Sequence, residues 1–291
     1  MDFLIHPLIP KSIRAVYLKA GGLLLFMAIF IAVALLLHAE QGFVRTANGV
    51  ELFTQPELAK ETFHYITVAT KPHPVLDVLE KTVASKGEEL TVLGMQEQRD
   101  IGWASEEGKK GNFGVKLREV YNFINNPSMK PDHIVLFSDA YDVYYCGNKR
   151  TILERYAEFN SPIVFGAERF CWPDADRAYP QENLTHYFPY LNSGLFIGRV
   201  DALRECMKDY KYDDKEDDQR FWTNQYMAHP ELIKLDHNNR IFLNCAGTNK
   251  KEILISDGDH VTFRGATPQL VHANSSDKTY LDPLLQYRQS A

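Results

Sequence analysis

The sequence predicts a doubly wound α/β domain standing behind a single membrane-spanning helix. Three observations lead there: one long uncharged apolar run near the N-terminus, short β-branched runs alternating with amphipathic stretches beyond it, and two aspartates directly after the third such run. Composition frames the reading. A chain of 291 residues with 45% hydrophobic and 24% charged residues has ordinary globular content, which excludes disorder, collagen-like repeats and a disulfide miniprotein. The net charge of −6, from 32 Lys+Arg against 38 Asp+Glu, speaks against wrapping nucleic acid, since that requires a basic surface.

The apolar run, Ala20 to Leu37, holds 18 uncharged residues. At helical rise that nearly crosses a bilayer core of roughly 30 Å. Lys11, Arg14 and Lys19 precede it against only Asp2, and Glu40 is the first charge after it, so the positive-inside rule leaves the N-terminus in the cytosol. The expected organisation is a cytosolic tail (1–19), a transmembrane signal-anchor (20–38), a stem (39–61) and a lumenal domain (62–291). That organisation predicts a single-pass type II protein of the Golgi or endoplasmic reticulum membrane. A cleaved signal peptide fits less well, because Leu37-His38-Ala39 lacks the small-x-small cleavage pattern. A buried soluble helix would normally carry polar residues on one face.

Beyond the stem, FHYITVA (Phe63 to Ala69), ELTVL (Glu89 to Leu93), HIVLFS (His133 to Ser138) and PIVFGA (Pro162 to Ala167) have the length and β-branched content of buried parallel strands. Val75 to Ala84, Val115 to Phe123 and Thr151 to Phe159 carry helical spacing between them, giving a β-α repeat. Ligands of such sheets bind at the carboxyl ends of the strands. The familiar phosphate loops are missing. Five residues separate Gly102 from Gly108, Lys110 replaces the Ser/Thr of a P-loop, and neither GxGxxG after the first strand nor HExxH nor GxSxG occurs.

At the end of the third strand, Ser138 runs into Asp139-Ala-Tyr141-Asp142. Two carboxylates on a short turn at the ligand edge suit Mg or Mn, which could hold a diphosphate and stabilise a departing phosphate. The plainer reading is a turn that solvates or caps a helix. Pro268 to Lys278 offers another strand ending in a polar cluster, and His272 as a third ligand would favour Mn, because imidazole suits the later metal. Asp213 to Asp218, with five acids among six residues, reads first as a solvated run before a helix. Cys146, Cys171, Cys206 and Cys245 allow three full disulfide pairings or none, and Asn183-Leu-Thr185 is a glycosylation sequon.

ITVAT (Ile66 to Thr70), VLFSDAYDV, VFGAERFCWPD (Val164 to Asp174), YLNSGLFIG (Tyr190 to Gly198), DDQRFWT (Asp217 to Thr223), LDHNNRIF (Leu235 to Phe242) and VHAN (Val271 to Asn274) follow one another in an order that resembles the glycosyltransferase domain of procollagen lysyl hydroxylases. The resemblance implies a GT-A fold, Mn2+, a UDP-glucose or UDP-galactose donor, and retention at the anomeric carbon. It implies Asp139, Asp142 and His272 as metal ligands, and Tyr141 stacked on uracil. Thr70, Lys116, Gln219, Asn274 and Lys278 would stand around the nucleotide, Glu168, Asp217 and Asp218 near the sugar, and Trp172 beside the acceptor opening. A core tryptophan is the alternative for Trp172, and surface lysines the alternative for Lys116 and Lys278. The chain carries no H-x-D element of an iron oxygenase, so lysine hydroxylation is not expected. The acceptor would be a hydroxyl on a glycoprotein, a collagen-like hydroxylysine glycan or a polysaccharide. A silent nucleotide-sugar-binding scaffold and a metal-dependent nucleotidyltransferase are the competing functions.

Overall fold

The structure, a computed structural model, describes residues 62–102, 111–256 and 259–290. The expected tail, anchor and stem lie outside the described residues. Among the described residues, no helix is long and apolar enough to cross a membrane.

Strands β1 (Phe63–Val68), β2 (Leu90–Leu93), β3 (Ile134–Asp139), β5 (Ile163–Glu168), β6 (Tyr190–Arg199) and β7 (Ile233–Asp236) form one six-stranded sheet in the order β2-β1-β3-β6-β5-β7. The four strands read from the sequence are present within a residue or two, as are helices α1 (Pro74–Ser85), α2 (Gly114–Ile124) and α3 (Lys149–Glu158). β3 and β5 are buried almost throughout, which accounts for their unbroken apolar character. Helix starts follow local chemistry. His73 caps α1 by accepting from the Val75 amide ahead of Pro74, and Asn148 caps α3 through Thr151.

The sheet departs from a simple doubly wound order at β6, which runs antiparallel between β3 and β5. Residues 169–189 leave the ligand edge after β5 and return to it, so β6 begins where β5 ends, with Tyr190 opposite Glu168. The pairing then slips: Gly166 faces Asn192 whereas Phe165 faces Phe196. This irregularity releases Ser193 and Gly194 from regular pairing with β5, a usual device for aiming residues into a site. Further along, Phe196 stacks on Phe137 at 4.9 Å between centroids and meets Phe165 at 5.0 Å, with Trp222 of α5 (Asp218–Ala228) closing the cluster.

A second sheet of three strands, β4 (Val143–Tyr145), β11 (Leu270–His272) and β8 (Phe242–Asn244), carries the C-terminal histidine to the same edge. β9 (Ile253–Ser256) and β10 (His260–Phe263) form a separate antiparallel pair. Helix α4 (Val200–Cys206) packs with α2, and a short α6 (Asp282–Ser290) ends the chain. All four cysteines are free thiols, so none of the possible pairings is formed. The sequon asparagine is turned inward. Asn183 is buried, and the amide nitrogen that would carry a glycan donates to Tyr226 Oη (2.8 Å) and the Pro189 carbonyl (3.2 Å).

Candidate active site

A cleft of about 830 Å³ opens at the carboxyl ends of β1, β3 and β5, within the range that holds a nucleotide-sized ligand. Asp139 closes β3, Asp142 precedes β4, and His272 closes β11. Because β4 and β11 pair with Val143 opposite His272, the acidic turn and the distant histidine arrive together. One ligand atom from each of Asp139, Asp142 and His272 lies within 4.8 Å of the others. Their orientation suits a cation. The His272 Nδ1 proton is donated to Asn244 Oδ1 at 2.8 Å, while Asn244 is itself fixed by donating to the Ala167 carbonyl at 3.0 Å. That bond turns Nε2 toward Asp139 Oδ2 (3.6 Å) and Asp142 Oδ1 (3.3 Å). Gly194 leaves room: a Cβ there would stand 2.4 Å from His272 Cε1 and 2.7 Å from Asp139 Oδ2. The donor set therefore fits a divalent ion.

Two lysines flank this set. The Lys116 ammonium, brought in by α2, sits 2.7 Å from Asp139 Oδ1 and 3.2 Å from Asp218 Oδ2. Burial opposes its charge, but the two carboxylates outweigh that and hold its pKa above the usual lysine range. α2 can come this close because its first residue is Gly114, where a Cβ would meet the Asp213 carbonyl oxygen at 1.8 Å. Lys278 Nζ contacts Asp142 Oδ2 and the Ala273 carbonyl at 2.6 and 2.8 Å. Burial works against an ionised Asp142, yet His272 and Lys278 overcome it and hold the carboxyl below the usual range.

Tyr141 lines the cleft with its ring fixed from behind. Its hydroxyl accepts from the Thr70 amide (2.7 Å) and the Lys71 amide (3.1 Å), and His73 packs 5.0 Å away between centroids. Thr70 is fully buried and acts through Tyr141. Gln219 also turns both ends of its amide to β6, accepting from the Ser193 amide (2.7 Å) and donating to the Leu191 carbonyl, which holds the irregular start of that strand. Asp218 accepts from Ser193 Oγ at 2.9 Å, and burial raises its pKa against the pull of Lys116. Asp217 lies one residue outside this cluster and caps α5 by accepting from the Arg220 amide at 2.8 Å.

Glu168 is buried at the end of β5, with Asn192 Nδ2 on one carboxyl oxygen (2.9 Å) and Asn274 Nδ2 on the other (3.0 Å). Desolvation pushes its carboxyl up to about 8, against the pull of those two donors. At the cleft mouth Trp172 is 57% exposed and Phe170 47%, so the core alternative for Trp172 does not describe it.

The structure thus brings Asp139, Asp142, His272, Lys116, Tyr141, Glu168, Trp172, Asp218, Gln219, Asn274 and Lys278 to one cleft, with Thr70 behind it and Asp217 in a cap. Sequence reasoning missed Asn244. Only the β8–β11 register, which sets it opposite His272, reveals its part.

A family model described as PLOD GT domain matches residues 59–291. The chain is 34% identical over 185 residues to the multifunctional procollagen lysine hydroxylase and glycosyltransferase LH3 of Homo sapiens, covering 60% of this chain and 25% of that protein. A multifunctional procollagen lysine hydroxylase and glycosyltransferase of Caenorhabditis elegans is 32% identical over 234 residues, covering 76% and 32%. The chain therefore spans no more than about a third of these relatives. Among solved structures, a glycosyltransferase involved in the glycosylation of the major capsid of PBCV-1 aligns with a TM-score of 0.44 at 12% identity, covering 77% of this chain and 98% of that one.

Proposed function

The chain belongs to the PLOD GT domain family, and from that premise we propose that it is a membrane-anchored, Mn2+-dependent glycosyltransferase of GT-A type. It moves glucose or galactose from a UDP-sugar to a hydroxyl of a glycoprotein, a collagen-like hydroxylysine glycan or a polysaccharide. The observation that carries the reading is the convergence of Asp139, Asp142 and His272 at the floor of a nucleotide-sized cleft. Imidazole in the set favours Mn2+ over Mg2+.

When bound, the ion would offset the diphosphate charge and stabilise the departing UDP. The chain's own residues do the rest. Asp139 and Asp142 present one oxygen each toward His272 Nε2, and Asn244 holds the imidazole in that orientation. Tyr141 offers a pre-oriented ring to the base, held by two backbone amides. Lys278, at the open side, adds positive charge for the diphosphate. Asp218 and Glu168 set polar groups beside the sugar, and the exposed indole of Trp172 can stack on an acceptor sugar face and exclude water. Retention at the anomeric carbon is part of the reading through family similarity.

The test is a donor-by-acceptor panel on purified protein with Mn2+, products identified by mass. Release of UDP with a hexose added to the acceptor is expected, whereas pyrophosphate release would show a nucleotidyltransferase instead. Asp139→Asn and Asp142→Asn should abolish transfer and Mn2+ binding, with a lower melting temperature for the Asp139 variant because the buried Lys116 ammonium then loses one of its two carboxylates. For the type II orientation, protease protection in sealed microsomes should leave the domain intact until detergent is added.

A further inference from the structure

Each metal-ligand carboxylate has one oxygen turned toward His272 and the other engaged by a lysine. Asp139 Oδ2 and Asp142 Oδ1 face Nε2, while Asp139 Oδ1 meets Lys116 and Asp142 Oδ2 meets Lys278. The two lysines differ in freedom. The Lys116 side chain is 11% exposed and is shared between Asp139 and Asp218, so it is a fixed clamp. The Lys278 side chain is 53% exposed and stands at the cleft wall, with Asp142 and the Ala273 carbonyl as its ammonium's partners among the described residues.

We propose that Lys278 is an exchangeable counter-ion that couples the two halves of the donor complex: it occupies Asp142 when no nucleotide is bound and turns to the diphosphate when one is. The proposal rests on the functional reading above and goes beyond diphosphate contact, because it assigns Lys278 a cost to cation binding as well as a gain to nucleotide binding. The charge arithmetic supports it. Among the described residues around the ion site, three aspartates (Asp139, Asp142 and Asp218) face two lysines (Lys116 and Lys278), an acidic surplus that repels a nucleotide lacking its cation. A divalent ion beside Asp142 meets the ammonium of Lys278 at close range and is weakened by it. An arriving diphosphate draws that ammonium away and relieves the repulsion, and linkage makes the effect reciprocal.

The probe is free Mn2+ measured by electron paramagnetic resonance on the full chain, without nucleotide and with saturating UDP. Wild type should bind Mn2+ weakly alone and more tightly with UDP. Lys278→Gln should tighten Mn2+ binding without UDP by roughly five- to tenfold and lose most of the UDP-induced gain, in the ordinary range of coupling between sites. Lys278→Arg should keep the wild-type pattern, because charge and reach are retained. Lys278→Gln with weaker or unchanged Mn2+ binding in the absence of UDP overturns the proposal, even if UDP binding falls, since that would leave Lys278 a phosphate ligand alone. If wild type binds no Mn2+ under either condition, and Asp142→Asn is indistinguishable from it, the metal-site reading fails and this inference with it.

Discussion

Gly194 is where one missing carbon decides the chemistry, since a methyl group there would stand 2.4 Å from His272 Cε1. The imidazole cannot retreat freely, because Asn244 holds its other side at 2.8 Å. Gly194→Ala is therefore expected to displace His272 and abolish Mn2+ binding, at a stability cost of about 1–3 kcal/mol from overpacking. Mn2+ titration beside a denaturant melt checks it, and an alanine variant with native metal affinity would show that the site is looser than its contacts imply. Trp172 makes the opposite case. With the residue 57% exposed, Trp172→Ala should change stability by no more than about 0.5 kcal/mol, rather than the ~3–5 kcal/mol of a core tryptophan. Transfer to acceptor should fall far more than UDP affinity, and parallel losses of stability, binding and turnover would remove Trp172 from the acceptor side.

Helix α5 separates two aspartates that the sequence leaves equivalent. Asp217 satisfies the Arg220 amide at the helix start, whereas Asp218 points into the cleft toward Lys116 and Ser193. Asp217→Ala should cost about 1 kcal/mol of stability through the lost cap and leave transfer largely intact, while Asp218→Asn should cut turnover heavily by removing a counter-charge from Lys116. Melts and turnover on both variants decide the division, and equal losses of turnover would return Asp217 to the sugar. The strands β1, β3 and β5 are legible because burial imposes apolar runs of strand length, and β2, a half-buried edge strand, through its short β-branched run. The place of β6 is not, since YLNSGLFIGR reads as a strand in either direction, and only the return of residues 169–189 to the ligand edge makes it antiparallel. The residues of the candidate cation site read from the sequence as Asp139-Ala-Tyr-Asp142 and His272, and the structure brings one ligand atom of each within 4.8 Å of the others. Asn244 and Gln219 were legible in role only once pairing set them beside His272 and β6.

Across the whole molecule, buried ionisable groups pull stability in opposite directions with pH. Burial lowers the pKa of His64 from 6.5, helped by His133 and Lys149, so its contribution is present above 6.5 and lost as pH falls. Glu168 acts the other way. Burial lifts its carboxyl from 4.5 to about 8, so the folded chain holds the proton that the unfolded chain releases, and its contribution is fully present below 4.5 and lost as pH rises through about 8. Asp218 and Asp236, also raised by burial, slope the same way as Glu168. Between 6.5 and 8 the His64 contribution is nearly complete, which leaves Glu168 as the acid whose raised carboxyl spans the window. Glu168→Gln isolates its contribution. Asn192 and Asn274 each use their carbonyl oxygen on a backbone amide, of Gly194 (3.0 Å) and Ala246 (2.8 Å), so both must offer NH2 groups to residue 168. A glutamine therefore sets one amide group against another and lowers stability at every pH, but it cannot titrate. Unfolding free energy measured in urea from pH 6.5 to 8 should decline with pH in wild type and decline less steeply in Glu168→Gln. Parallel lines would mean that Glu168 is already ionised in the folded chain, and that the two asparagine donors outweigh its burial.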